Sequence, residues 1–519
     1  MVNQPRHGWA ILGVVALGTF MTALDASIVN IGLPSIARTF HTPIGGAAEW
    51  VIIAYLVAIA ATLLPFGHLS DLVGRKPVWL AGLATFTVGS MLCGAAPSLA
   101  LLVFARAVQG IGGALIFAPG VAIITDAFPP AGRGRALGVN AVVFAVGTSL
   151  GPTLGGLITE HLSWRWIFYL NVPLGALALL ASQATLPRSG PHRREPFDVA
   201  GAGLLAVGFA LLTVVLSFSP EWGWGSVRLL TCLAVGTIAL VGTALVERRA
   251  PRPIIDFSLF RERTLASSLG SMTLAMLALF AISFMLPFYF EELRGFSVEK
   301  SGLLLTPLPL TIAVVAPVSG SLADRIGSRW LAAGGLALAC LGLLFLARLD
   351  AASTLVEVVG CLVLTGAGQG MFQTPNARAL MNAVPPGEQG EAAGLLATGR
   401  VVGQSLSVAL AGAIFADLGG ASAGRALAAT RAGAVAPDNI TALQQTFLTG
   451  FKGALMVCAA VAAAGLLATL IRATSNSLRR ATYRFPKPPV QWIFAKTLAR
   501  EAARRPGSRQ SSERGPSVS

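Results

Sequence analysis

The sequence predicts an all-α membrane protein: fourteen transmembrane helices in two pseudo-symmetric six-helix bundles, with a two-helix insertion between them. Three observations carry this. Of 519 residues, 54% are hydrophobic and only 12% are charged, against roughly 25% charged in ordinary soluble domains. The mean hydropathy is +0.71, and no soluble globule of this length could hide that much apolar side chain. Apolar segments of about 20 residues, enough to cross a bilayer, recur fourteen times, at about 9–33, 49–70, 77–96, 99–126, 135–158, 165–186, 198–218, 226–247, 265–290, 300–323, 329–348, 354–378, 391–417 and 450–472. Finally, the chain repeats itself. Gly67-His68-Leu69-Ser70-Asp71-Leu72-Val73-Gly74-Arg75-Lys76 returns 253 residues later as Gly320-Ser321-Leu322-Ala323-Asp324-Arg325-Ile326-Gly327-Ser328-Arg329. Gly110, Gly112, Pro119, Gly138, Gly147 and Ser149 return 256 residues later as Gly366, Gly368, Pro375, Gly394, Gly403 and Ser405. Spans 1–6 and 9–14 are therefore two copies of one unit, a construction used by many secondary transporters. The composition excludes a disordered chain, a disulfide scaffold and a nucleic-acid-binding globule. The five cysteines fall in apolar segments with no CxxC pair, so neither disulfides nor a metal site are expected.

Span 1 is too long for a signal-peptide core and lacks a cleavage site, so it reads as a retained helix. It carries Asp25 about eight residues from its outer end, and an ionisable residue at that depth is a functional candidate by default. Span 4 carries Arg106 at nearly the same depth, given ~1.5 Å rise per residue. Burial raises a carboxyl pKa and a nearby cation lowers it, so the two together suit a proton relay. The bland alternatives are an Asp25 that only accepts helix–helix hydrogen bonds and an Arg106 tied to backbone carbonyls. Between spans 2 and 3, Gly67 and Gly74 allow a tight turn, while Asp71, Arg75 and Lys76 supply charge for a gate or merely an anchor. Asp324, Gly327 and Arg329 repeat this pattern. In span 5, Gly147, Gly151, Pro152, Gly155 and Gly156 stand where bulk is usual, and small residues let helices approach closely in lipid. Gly147-Thr148-Ser149-Leu150-Gly151 also matches a hydrolase GxSxG. That motif needs a strand-to-helix elbow and a nearby histidine, and here it lies within an apolar span.

Asn30, Gln109, Asn140, Gln369 and Gln404 are candidates for a polar cavity lining, with helix–helix hydrogen bonds the competing account. Arg400 lies deep in span 13 and could bind an anion, repel cations or pair with a carboxylate. Glu49, Glu160 and Glu357 lie near outer helix ends. They are expected to face headgroups, with proton uptake the alternative. Most large apolar side chains, including Met272, Met276, Phe280, Phe284, Met285, Phe288, Tyr289 and Phe290 of span 9, are expected to face lipid, some of them lining an adaptable cavity. Spans 7 and 8 hold no ionisable residue in mid-span. Beyond residue 472, Lys496, Arg500 and Arg504 recur every four residues, which reads as a basic amphipathic helix on the membrane surface or as a disordered tail.

The net charge is +15. With the N-terminus placed inside, 27 of the 38 Lys and Arg residues fall on that side, nine fall on the other and two lie within spans. By the positive-inside rule both termini are cytoplasmic. The dipeptide Gly-Lys does not occur, so no P-loop can drive ATP hydrolysis.

The loop between spans 2 and 3 resembles a signature of the major facilitator superfamily. Leu24-Asp25-Ala26-Ser27-Ile28-Val29-Asn30-Ile31-Gly32-Leu33-Pro34 resembles the first-helix motif of its fourteen-helix drug:proton antiporters. Arg106-Ala107-Val108-Gln109-Gly110-Ile111-Gly112-Gly113 is similar to the superfamily's fourth-helix arginine motif. Gly147 to Gly156 is similar to the antiporter motif of helix 5, and Trp164 to Pro173 to a stretch of the same branch. The resemblance covers about residues 9–472 and departs where Ser407-Val408 replaces Gly151-Pro152 in the second copy. It implies proton-coupled export of small amphipathic or cationic compounds by alternating access. Asp25 and Arg106 would couple the proton, the two loops would latch the inner side, and helix 5 would keep exchange tight. The rival within the same fold is an exporter of one metabolite or self-made antibiotic. The expected organisation is 1–190 first bundle, 191–262 insertion, 263–472 second bundle and 473–519 basic tail. The expected partners are a small-molecule substrate, protons and the bilayer, with no cofactor, no nucleic acid, a monomeric state and a bacterial inner-membrane location.

Overall fold

The computed structural model describes residues 4–42, 47–187, 199–223, 225–249, 260–384, 389–431 and 440–471. Fourteen helical segments among them are long and apolar enough to cross a membrane. The first six are α1 (Gln4–Thr39), α2 (Trp50–Val73), α3 (Arg75–Ala95), α4 (Leu99–Ala127), α5 (Pro130–His161) and a span divided into α6 (Trp166–Tyr169) and α7 (Asn171–Thr185). The insertion is α8 (Val199–Trp222) and α9 (Val227–Arg249). Six more spans follow. They are α10 (Arg263–Phe288) with a π-helical turn over Tyr289–Leu293, α11 (Val298–Leu305) with α12 (Pro307–Ile326), α13 (Ser328–Leu346), α14 (Leu355–Asn382), α15 (Gln389–Asp417) and α17 (Ile440–Leu470). The break between α11 and α12 falls before Pro307, which cannot donate to the preceding turn. The spans expected at 391–417 and 450–472 leave 418–449 as the loop between them. The structure instead places a short helix there, α16 (Gly420–Arg431), and starts the last span at Ile440. The basic tail lies outside the described residues.

The two halves repeat in contact as well as in sequence. Gly112 meets the Phe86 backbone and Gly368 meets that of Ala339, so a Cβ at either would collide. Gly110 lies on the Tyr55 carbonyl as Gly366 lies on that of Leu308. Gly147 rests on Phe20, Ala23 and Leu24, and Gly403 rests on Thr273, Met276 and Leu277. The turns Gly74 and Gly327 share a backbone shape, with φ 99° and ψ 148° against φ 89° and ψ 147°, a region that only glycine adopts without strain. Just past each turn a cation caps the last helix of its half. Lys76 donates to the Gln183 and Leu186 carbonyls, and Arg329 donates to that of Leu470. These matched contacts fix the register of every helix pair named.

The halves meet along two seams. In one, α5 packs on α11 and α12; in the other, α2 packs on α15. The insertion sits on the second seam, with α8 touching both α2 and α15 and α9 backing α8. We call the membrane face carrying Lys76 and Arg329 the basic face and its counterpart the opposite face. Most of the span-9 side chains expected to face lipid do not, and Phe280 is half-buried. Met272, Met276, Phe284, Met285, Phe288, Tyr289 and Phe290 are all buried, because α10 is enclosed by α1, α14, α15 and α17.

Candidate functional site

Asp25 and Arg106 come together as their shared depth predicts. Arg106 Nη1 donates to Asp25 Oδ2 at 2.7 Å, and both side chains are buried. The pair is the centre of a larger cluster. Gln109 Nε2 and Asn171 Nδ2 donate to the other oxygen, Asp25 Oδ1, at 2.9 and 3.0 Å. Gln109 Oε1 accepts from Arg106 at 2.6 Å, and Gln109 Nε2 also reaches Ser90 Oγ at 2.5 Å. Arg106 Nε donates to the Val51 carbonyl at 2.8 Å, and its guanidinium lies 4.2 Å from the Tyr55 ring centroid. One carboxylate thus accepts three hydrogen bonds, two of them from neutral amides. The cluster ties α1, α2, α3, α4 and α7 together inside the first half. Of the two readings of Gln109, a polar path lining or helix–helix hydrogen bonds, it makes the second, bonding to α1 and α3. Sequence reasoning missed Ser90, Tyr55 and Asn171. Asn171 was within reach, since it is the one amide in the apolar run Trp166 to Pro173.

The glycines of α5 serve two partners. Gly147, Gly151 and Gly155 recur every four residues and face α1, where a Cβ on Gly151 would strike Ser27 and one on Gly155 would strike Ile28 and Ile31. Gly156 and the Pro152 carbonyl face the other half, against Val298, Glu299 and Gly302 of α11. Beside them Thr153 Oγ1 and Thr306 Oγ1 are 2.5 Å apart, His161 Nε2 is 3.1 Å from Glu299, and the Val298 N–H donates to Glu160. Arg38 of α1 pairs with Glu291 of the π-turn at 2.8 Å. The halves are therefore tied at the opposite face. Ser149 is helical and donates to the Ala145 carbonyl, so the GxSxG has no elbow, and His161 is occupied by Glu299.

The basic-face loops act within their own halves. Arg75 pairs with Asp126, donates to the Ala122 carbonyl at 3.1 Å and lies 3.8 Å from Asp71. Gly67 has open space about it. The Asp324 side chain lies outside the described residues. Asn30 and Asn140 each hold a buried Oδ1 without a partner, and Arg400 has a buried Nε without one. Gln369, Arg400 and Gln404 are half-buried on α14 and α15, and none of these five joins the Asp25 cluster. Glu49, expected among headgroups, is fully buried, because α15 and α8 cover the start of α2. Glu291 and Glu292, not singled out from the sequence, are also buried. The π-turn and α16 enclose them where the helix had been read as ending. Glu160 and Glu357 are exposed as expected, and Glu357 closes a capping box with Thr354.

Two six-helix halves related by contact, a dry ion pair in one of them and polar ties across the opposite face define a polytopic transporter of the duplicated-bundle class. A family model described as Major Facilitator Superfamily matches residues 15–408 and 269–506. The chain belongs to that superfamily. It is 34% identical over 401 residues to the multidrug resistance protein Stp of Mycobacterium tuberculosis, covering 77% of this chain and 74% of that protein. It is 34% identical over 415 residues to the riboflavin transporter RibZ of Clostridioides difficile, covering 79% and 89%. To the tetracenomycin C resistance and export protein of Streptomyces glaucescens it is 33% identical over 410 residues, covering 79% and 76%. The crystal structure of a bacterial homolog of the human lysosomal transporter Spinster shares the fold, with TM-score 0.63 and 16% identity over 90% of this chain and 98% of that one.

Proposed function

We propose that this transporter exchanges protons for small amphipathic or cationic compounds, exporting them across a bacterial cytoplasmic membrane with both termini inside. The observation that carries this is the saturated Asp25. Its charged form is satisfied by Arg106, Gln109 and Asn171, and in a dry interior a carboxylate is held only by such partners. A proton on Oδ2 would displace the Arg106 hydrogen bond. Proton uptake and release of Arg106 then become one event, and five helices feel it. Rocking of the halves about a central site supplies the alternation, and the ties at the opposite face describe its outwardly closed state. The loops from Asp71 to Lys76 and from Asp324 to Arg329 would latch the basic face in the other state. Residues 1–190 and 263–472 form the moving units, with 191–262 inserted and 473–519 as a cytoplasmic tail. The protein would work as a monomer.

A second reading is export of one metabolite or antibiotic, supported by relatives whose names specify riboflavin or tetracenomycin C. One experiment separates the two. Inverted vesicles with an acidic interior receive a panel of lipophilic cations and anionic compounds while interior pH is followed by a quenched dye. Several unrelated cations should each collapse the gradient with wild type and not with Asp25→Asn. A response to one compound alone supports the narrow exporter, and equal responses with Asp25→Asn remove Asp25 from coupling.

A further inference from the structure

The opposite-face end of the α2–α15 seam holds a carboxyl group that the cluster around Asp25 does not use. Glu49 is fully buried, and neither Oε1 nor Oε2 has a hydrogen-bond partner. The side chain fits because residue 412 of α15 is glycine, where a Cβ would overlap Glu49 Oε1. Its third wall is the insertion. Trp50, the next residue, stacks on Phe218 of α8 at 6.2 Å, and Phe218 stacks on Trp222 at 5.0 Å. The charged groups around it offer no pairing. Glu221 at the end of α8 is an acid, Asp417 is an exposed acid on α15, and Arg106 of α4 is committed to Asp25, Gln109 and the Val51 carbonyl. Arg400 lies twelve residues from Gly412 along α15, about 18 Å at 1.5 Å per residue.

An ionised carboxylate without donors cannot be held in such a place, whereas the neutral acid can. Parting of α2 and α15 at this end would return both oxygens to water, where the ionised form is stable. We infer that Glu49 is a proton-binding site on the seam between the halves, protonated while α2, α15 and α8 enclose it and ionised when they separate, so that separation there is linked to loss of one proton. The inserted hairpin thereby gains a role, since α8 closes the site from the membrane side.

Hydrogen exchange of the full chain in lipid nanodiscs, followed by mass spectrometry from pH 5.5 to 8.5 and corrected for intrinsic rates, tests this without any substrate. One linked proton makes the opening constant rise by up to about tenfold per pH unit. Protection of residues 48–56 and 409–417 should fall with that slope in wild type, while residues 331–343 of α13, which pack on α14 and α17, stay flat. Glu49→Gln, neutral at every pH, should keep both segments protected throughout. Gly412→Ala, which evicts the side chain, should lower protection at all pH values and flatten the slope. A flat wild-type profile, or a Glu49→Gln profile that keeps the wild-type slope, overturns the inference. Because the readout is seam opening, failure of drug:proton exchange in vesicles would leave it standing, and its own failure would leave that exchange standing.

Discussion

The centre of the first half and the centre of the second are built on the same contacts and filled with opposite chemistry. Through the glycine and capping contacts, Asp25, Ser90, Arg106, Gln109 and Asn171 match Ala278, Leu343, Leu362, Thr365 and Leu455. All ten are buried. Tyr55, beneath the Arg106 guanidinium, matches Leu308. The second half shows that this helix arrangement needs no buried ion pair to form. Close approach through glycine is the shared architecture, and the charge in the first half is an addition that packing does not require. A buried pair often yields no net stability over apolar residues of similar size, so packing stability alone does not account for these charges.

The largest effect should come from making one side of that pair resemble the second half. Arg106→Leu strands the Asp25 carboxylate in a dry interior. Breaking a buried pair this way costs about 3–5 kcal/mol, visible as a marked fall in the thermal midpoint of the purified protein. The mirrored change, Leu362→Arg, should be as damaging, because no acid awaits it. If either variant melts like wild type, the two centres are not as distinct as described.

Next come the shared contacts. Gly112→Val and Gly368→Val each force a side chain into a neighbouring backbone, at about 1–3 kcal/mol. The two losses should agree, and a large inequality measured by the same melts would break the equivalence of the halves. Transplanting the whole second-half centre sharpens the comparison further. Asp25→Ala, Ser90→Leu, Arg106→Leu, Gln109→Thr and Asn171→Leu together remove both charges at once. This protein should melt near wild type and show no substrate-induced proton movement. Coupling that survives the transplant would move the proton site elsewhere. The smallest effect belongs to Arg38 and Glu291, whose cation is 57% exposed. A double-mutant cycle with Arg38→Gln and Glu291→Gln should return a coupling of about 1 kcal/mol or less.

Much of this was legible in the sequence because membrane helices announce themselves by length, and duplication by repeated glycines. Asp25 and Arg106 could be set at one depth by counting rise per residue. The third helix of the cluster could not, since Ser90 is an ordinary small polar residue until a neighbour faces it. Glu49 was misread for a similar reason. Its distance from the helix end is a one-dimensional fact, and its burial depends on Gly412 and α8, which are remote in sequence. Glu291 and Glu292 were hidden by where the span was thought to stop, and a π-turn is not readable from hydropathy.

The caps at Lys76 and Arg329 carry a consequence for how the molecule is made. Each joins the start of the third helix of a half to the carbonyl end of its last helix, where cations are favoured. A half is therefore a ring fastened by its final residues. The first ring can fasten once Leu186 has been synthesised, and the second must wait for Leu470, 284 residues later. At about 5–20 residues per second the interval is on the order of tens of seconds. During it a finished bundle, its ion pair already enclosed, stands beside an unfinished one whose matched positions are Thr365 and four apolar residues, with no such pair to enclose while it waits.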